Sequence, residues 1–331
     1  MTDTNMTANH TRFNHVLAFE VSKAELVVYA LPGGSCVSIA NDRGAIRRRI
    51  KKEIAANVQL CDGPLLIICE ATGGYERHVL DAATELGVAC HRAHGSRIRA
   101  YARYRGTHAK SDAIDVRLIA EYGRESQNLR PYEPPGENQS KLRALIGRRA
   151  DLMASIEAET NKLEQETCRD VIACIEAVVR VLERQLKKID QCLDSLIAGD
   201  PLFRNRFRLM RSVKGIGRVT AASVLAYLPE IGSVSRGAIA ALAGLAPFDQ
   251  DSGTIKGARH IFAGRSQVRR PLYMAATVAM RHNSFLKAFA ERIMAKGKSF
   301  KIAATAVMRK LLVILNGIIA SNQPWRLADT T

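Results

Sequence analysis

The sequence predicts an α/β domain followed by an all-α part. Three observations carry this. Short apolar runs alternate with amphipathic stretches up to about residue 125, residues 148–197 contain neither Gly nor Pro, and the chain from 205 onward is basic, helical and rich in small residues.

Taken in order, NHVLAFEVSKAELVVYAL at 14–31 reads as two strands, Val16 to Phe19 and Leu26 to Leu31, around a polar turn holding Ser22 and Lys23. PGG at 32–34 is a turn. AIRRRIKKEIAANV follows as a basic helix. PLLIIC, Pro64 to Cys69, is a continuous apolar strand of the kind buried on both faces, and it ends in Glu70. ATGGYERHVLDAATELG is a loop opening a helix, and VACHRAH a further strand. Ligand groups in such folds collect at strand ends.

The middle of the chain changes character. Ile175, Val178, Leu182, Leu186, Ile189, Leu193 and Leu196 follow at three- and four-residue steps, which predicts one long amphipathic helix in an antiparallel or intermolecular coiled coil. Such a stripe more often serves packing or dimerisation than catalysis. PYEPPGENQS at 131–140 is the expected linker before it, and AGDP at 198–201 the break after it. The expected domains are therefore 12–130, 131–200 and 201–331.

Charge is segregated. Residues 201–331 hold 21 Lys+Arg against 5 Asp+Glu, whereas residues 1–200 hold 28 against 27. A basic domain joined to a neutral one indicates a polyanion-binding module, with nucleic acid as the expected polyanion. Seven scattered cysteines with no C-x-x-C pair suggest neither a disulfide framework nor a zinc site, which fits a reducing cytoplasm. The first dozen residues lack an apolar signal core, and LLVILNGIIA is too short to span a bilayer, so no membrane partner is expected.

The chemistry rests on acids. Asp112 and Asp115 in KSDAID are three apart, so on a helix both project from one face. Glu70 at a strand end and Glu20 on the first strand complete a set of four carboxylates. That is what a two-Mg²⁺ site for phosphodiester chemistry needs. Each acid alone has an ordinary explanation. Asp112, for example, could be an N-cap residue after Ser111.

Between the acids, HRAHGSRIRAYARYRGTHAK offers Arg97, Arg99, Arg103, Arg105 and Lys110 interleaved with tyrosines, suited to backbone contact and base stacking. A solvated basic face is the alternative. In SVKGIGR, the glycines Gly215 and Gly217 flanked by Lys214 and Arg218 match a helix-hairpin-helix turn whose N–H groups hold a phosphate. A packing glycine pair at a helix corner is the competing reading.

The order and spacing of the blocks resemble a family: the DEDD-type transposases of insertion sequences, which include pilin-gene invertases and RNA-guided bridge recombinases. The likeness runs from the first-strand acid followed by VSK, through CEATGGY and KSDAIDVRLIAEY, to SVKGIG and ALAGLAPFDQDSGTIKGARHIFAGRSQVRRPLYMAA. It implies an RNase H-like (RuvC-type) catalytic domain, a coiled-coil region and a C-terminal transposase domain. It also implies that Glu70, Asp112 and Asp115 are metal ligands and that Glu20 occupies the place of the family's first aspartate, a departure by one methylene.

Ser252 then corresponds to a nucleophile forming a covalent phosphoserine, although Ser-Gly by itself is usually only a turn. Lys256, Arg259, Arg265, Arg269 and Arg270 would neutralise phosphate charge around it. The partners implied are DNA at element ends and target, a structured guide RNA, and further copies of the chain as a dimer or tetramer.

Three other readings remain open at this stage. RNase H-like folds also host sugar kinases and other ATPases, but no G-x-x-x-x-G-K-[ST] loop is present. A RuvC-like, structure-specific endonuclease would use water in place of Ser252. A catalytically inactive nucleic-acid-binding protein would use only the basic tail and the GIG turn.

Overall fold

A computed structural model describes residues 13–325 apart from 61–62, 108–110, 128 and 249–259. The chain forms two compact units, 1–134 and 135–331.

The first unit is built on a five-stranded sheet. β1 (His15–Val21), β2 (Glu25–Leu31) and β3 (Val37–Ala40) form an antiparallel meander, and β4 (Leu65–Glu70) and β5 (Ala89–Ala93) add parallel to β1, giving the order β3-β2-β1-β4-β5. β3 was not legible as a strand. It has four residues, mostly exposed, and such short pieces typify sheet edges.

β1 and β4 are central and buried on both faces, which is why they read as continuous apolar runs. Leu17, Phe19, Ile67 and Cys69 face one layer, where α1 (Arg43–Leu60) supplies Ile46 and Ile50 and α2 (Arg77–Glu85) supplies Val79 and Leu80. Val16, Ala18, Leu66 and Ile68 face the other, covered by Ile98 of α3 (Gly95–Tyr104) and by Val116, Ile119 and Ala120 of α4 (Asp112–Glu125). The result is a three-layer α/β/α unit.

The second unit is helical: α5 (Glu137–Leu163), α6 (Arg169–Gly199), α7 (Pro201–Arg211), α8 (Arg218–Tyr227), α9 (Arg236–Leu242), α10 (Ser266–His282), α11 (Ser284–Met294) and α12 (Phe300–Ser321). Among its described residues a small ladder pairs β6 (Pro247–Phe248) with β7 (His260–Ile261), and these strands bracket residues 249–259 in sequence. One core gathers Leu142 and Ile146 of α5, Leu193 and Ile197 of α6, and residues of α7 to α12.

The expected single long helix is corrected here. It is two helices packed as a hairpin, with α5 starting inside the expected linker. No Gly or Pro breaks the chain at 164–168. Instead the Glu166 carboxylate accepts the N–H groups of Thr167 and Cys168, both at 2.8 Å, and Cys168 takes an extended conformation as the cap of α6. At the second break Asp200 accepts from Leu202 and Phe203, with Pro201 in the first turn of α7.

LLVILNGIIA proves to be the end of the 22-residue α12, long and apolar enough to cross a membrane by length and composition. Here it is the core helix of the second unit, burying Val307, Leu311, Leu312 and Leu315 against its neighbours.

Candidate active site

Alternation along a strand decides which face each acid uses. Glu20 has the parity of Val16 and Ala18, and Glu70 that of Leu66 and Ile68, so both lie on the face covered by α4. In the parallel register Phe19 is level with Cys69, so Glu20 and Glu70 follow at matching positions on neighbouring strands. Strands so paired lie about 4.8 Å apart.

α4 crosses this face obliquely. Its Gly123 sits over Val16, Leu66 and Ile68, the Arg117 guanidinium stands 5.6 Å from the centre of the Tyr29 ring, and the Ala113 carbonyl accepts from Cys36 Sγ at 3.8 Å. Its first turn, carrying Asp112 and Asp115, therefore lies toward β2, with Glu20 between it and Glu70. Ser111 caps that turn through the Ile114 N–H at 3.4 Å, so the capping role weighed for Asp112 belongs to its neighbour. Asp112 is exposed and Asp115 half-buried.

The four acids share one sheet face, but among the described residues no three His, Cys, Asp or Glu side chains lie within ligating reach of one point. The donor chemistry fits a hard cation, since all four are carboxylates.

Two features shape the surroundings of Glu70, and neither was picked out in the sequence. The first is Gly95, the opening residue of α3. A Cβ there would land on Glu70 Oε1, so the glycine lets the carboxylate rest against a helix N-terminus. Gly95→Ala is expected to push this flexible carboxylate aside. Catalysis that depends on Glu70 should fall about tenfold or more while the melting temperature stays within a degree or two, as activity assays and calorimetry would show.

The second is Glu76, which is 3% exposed. Its Oε2 accepts the N–H groups of Gly74 (2.7 Å) and Thr72 (3.2 Å) and the Thr72 hydroxyl, and Arg92 lies 3.6 Å from Oε1. The loop directly after Glu70 is thus folded around one buried carboxylate, with Gly73 and Gly74 at φ +77° and +116°, where glycine is favoured. Asn41 Nδ2 also donates to Tyr75 O in this loop and to Ser22 O after β1, tying together the loops behind both glutamates. A legible signal existed: an acid two residues beyond a Gly-Gly pair.

Burial alone would raise the Glu76 carboxyl, but the backbone N–H groups around it and then Arg92 outweigh that and hold it below the usual range. A lowered carboxyl stabilises the fold above its unfolded value of about 4.3 and loses that contribution as pH falls through the folded value. Acid unfolding of the wild type should therefore steepen below about pH 4, and Glu76→Gln should flatten this dependence in pH-resolved melting curves.

The predicted cations divide by environment. Arg97, Arg99 and Arg103 are exposed along α3, next to Tyr104, which is 83% exposed. Arg105 is bound to Glu121 (3.2 Å) and Glu125 (3.4 Å) of α4. In the second unit Arg218 pairs with Asp194 (2.9 Å) and Asp190 (3.7 Å) and also donates to Asp190 O. Arg265 grips both oxygens of Glu230 at 2.5 and 2.6 Å and donates to Tyr227 O. Arg269 donates to Ala263 O, and Arg270 pairs with Glu157 at 3.2 Å while staying mostly exposed.

Around the GIG turn, Lys214 and Gly217 are exposed, but Gly215 packs directly on α10, so for it the packing alternative applies. Lys110, Ser252, Lys256 and Arg259 lie outside the described residues.

Two family models and two known proteins match the chain. Residues 30–166 match a DEDD model described as "Transposase", and residues 207–291 match "Transposase IS116/IS110/IS902 family". The first match covers Glu70, Asp112 and Asp115 and begins after Glu20; the second covers Ser252. The pilin gene-inverting proteins of Moraxella lacunata and Moraxella bovis are each 30% identical over 267 residues, spanning 79% of this chain and 82% of theirs.

Proposed function

The chain belongs to the IS110 family of transposases, and on that premise we propose that it exchanges DNA strands through a serine-linked intermediate at an RNase H-like carboxylate site. The observation that carries the reading is the placement of Glu20 and Glu70 at matching positions on adjacent parallel strands, under the helix that bears Asp112 and Asp115. The two relatives are pilin gene-inverting proteins by name, which supports DNA as the substrate.

In this reading the carboxylates hold two Mg²⁺ ions, which would neutralise charge on the scissile phosphate and help ionise the attacking hydroxyl. Glu20 reaches one methylene further than an aspartate would. The Ser252 oxygen attacks phosphorus; its proton leaves and the departing strand's oxygen takes one up. A phosphoserine diester replaces the DNA diester. A hydroxyl of the other duplex then attacks the same phosphorus and restores Ser252. Diester bonds are conserved at each step, so no external energy source is needed. A structured RNA choosing target and donor, and multimers formed through the α5–α6 hairpin, complete the proposal. The exposed Arg97, Arg99 and Arg103 supply backbone contacts beside the carboxylates.

The test is a denaturing-gel assay for a covalent protein–DNA adduct, with Mg²⁺, element-end DNA and RNA transcribed from the element's flanks. Wild type should give an adduct and Ser252→Ala none. Free nicks that persist without Ser252 would identify a hydrolytic, RuvC-like nuclease instead.

A further inference from the structure

Away from the carboxylates, α9, α11, α12 and the segment up to Trp325 enclose a groove of about 650 Å³. Phe285 forms one wall, 40% exposed, with its ring centre 6.1 Å from that of Trp325 at 53°. Lys310 stands at the rim, its Nζ 5.4 Å from the centre of Phe285 and 5.6 Å from that of Phe289. Arg236 and Ser235 are exposed on the opposite side. Among the described residues no acid lines the groove.

A slot with one exposed aromatic ring, Phe285, a half-buried Trp325 beside it and cations at its rim has the chemistry of a nucleotide site. A base can lie against Phe285 while its phosphate meets the rim cations. An apolar peptide would leave both cations without an anion. That the nucleotide belongs to DNA rests on the recombinase reading above, since the two relatives are gene-inverting proteins by name.

We propose that this groove binds an unpaired DNA nucleotide, a second nucleic-acid contact separate from the carboxylate site. It does not depend on the serine mechanism. A recombinase that exchanges strands must handle bases that have left their partners, and stacking stabilises an unpaired base without regard to its sequence.

Trp325 is the sole tryptophan, so its fluorescence reports this groove alone. The full-length protein is titrated with a single-stranded thymidine oligonucleotide, the equivalent duplex, single-stranded RNA, and inorganic polyphosphate as a charge-only probe. The expected result is saturable quenching by single-stranded DNA, about tenfold weaker in affinity for Phe285→Leu and for Lys310→Gln. Both variants should melt within a few degrees of wild type, since Phe285→Leu preserves apolar bulk and Lys310→Gln gives up only its cation–π contacts with Phe285 and Phe289. The proposal is overturned if polyphosphate or duplex quenches as well as single-stranded DNA, if RNA binds more tightly, or if both variants bind like wild type.

Discussion

Asp115→Asn is expected to lower DNA cleavage by about three orders of magnitude, equivalent to ~4 kcal/mol of transition-state stabilisation, with little change in melting temperature. The substitution keeps the size of the side chain and removes only its charge. Asp115 sits one residue before Val116, which is fully buried against the sheet, so its backbone position is fixed by packing that the variant retains. Its structural contribution as an acid in the first helical turn is small, about 0.3–1 kcal/mol. In the proposed site its role toward a cation would have no substitute, because an amide supplies no negative charge to a set of hard-ion ligands. Cleavage measured in Mg²⁺ on element-end DNA, alongside a melting curve, checks this. Wild-type cleavage by the variant would remove Asp115 from the active set.

The second large effect concerns stability. Gly215→Ala should destabilise the second unit by about 3 kcal/mol, lowering its melting temperature by roughly 10 °C. Two independent costs add. The residue has φ +106°, where an L side chain is strained, and a Cβ would lie 2.6 Å from Ala279 Cβ, 3.0 Å from its Cα and 3.1 Å from Ala275 O. These are atoms of the body of α10 and cannot swing away as a side-chain tip can. Gly217 has open space around the same atom, so Gly217→Ala is the matched control and should cost far less. Equal losses at both glycines in a thermal melt would contradict the packing account.

The contrast between Gly95 and Gly215 shows why site and scaffold respond differently. At Gly95 the obstructed atom is the end of a mobile carboxylate, so the cost falls on geometry and activity. At Gly215 it is a packed helix, so the cost falls on folding. The basic residues divide in the same way. Arg265 is held within the second unit by Glu230, whereas Arg97, Arg99 and Arg103 are exposed on α3.

The sequence by itself determined the central strands, the acids at their ends, the helix carrying Asp112 and Asp115, and the uneven charge of the chain. These are local properties: alternation along a strand and three-residue spacing on a helix fix which side chains share a face whatever packs above them. Only the tertiary structure decided the rest. It divided the expected long helix at Glu166, which caps a turn that no Gly or Pro announces. It spaced the four carboxylates along one face without closing them on a point. It gave Glu76 the loop behind Glu70, and it chose which arginines are engaged. Arg218 meets Asp190 across 28 residues and Arg265 meets Glu230 across 35. Such pairings depend on where distant segments dock, and periodicity along the chain carries no information about that.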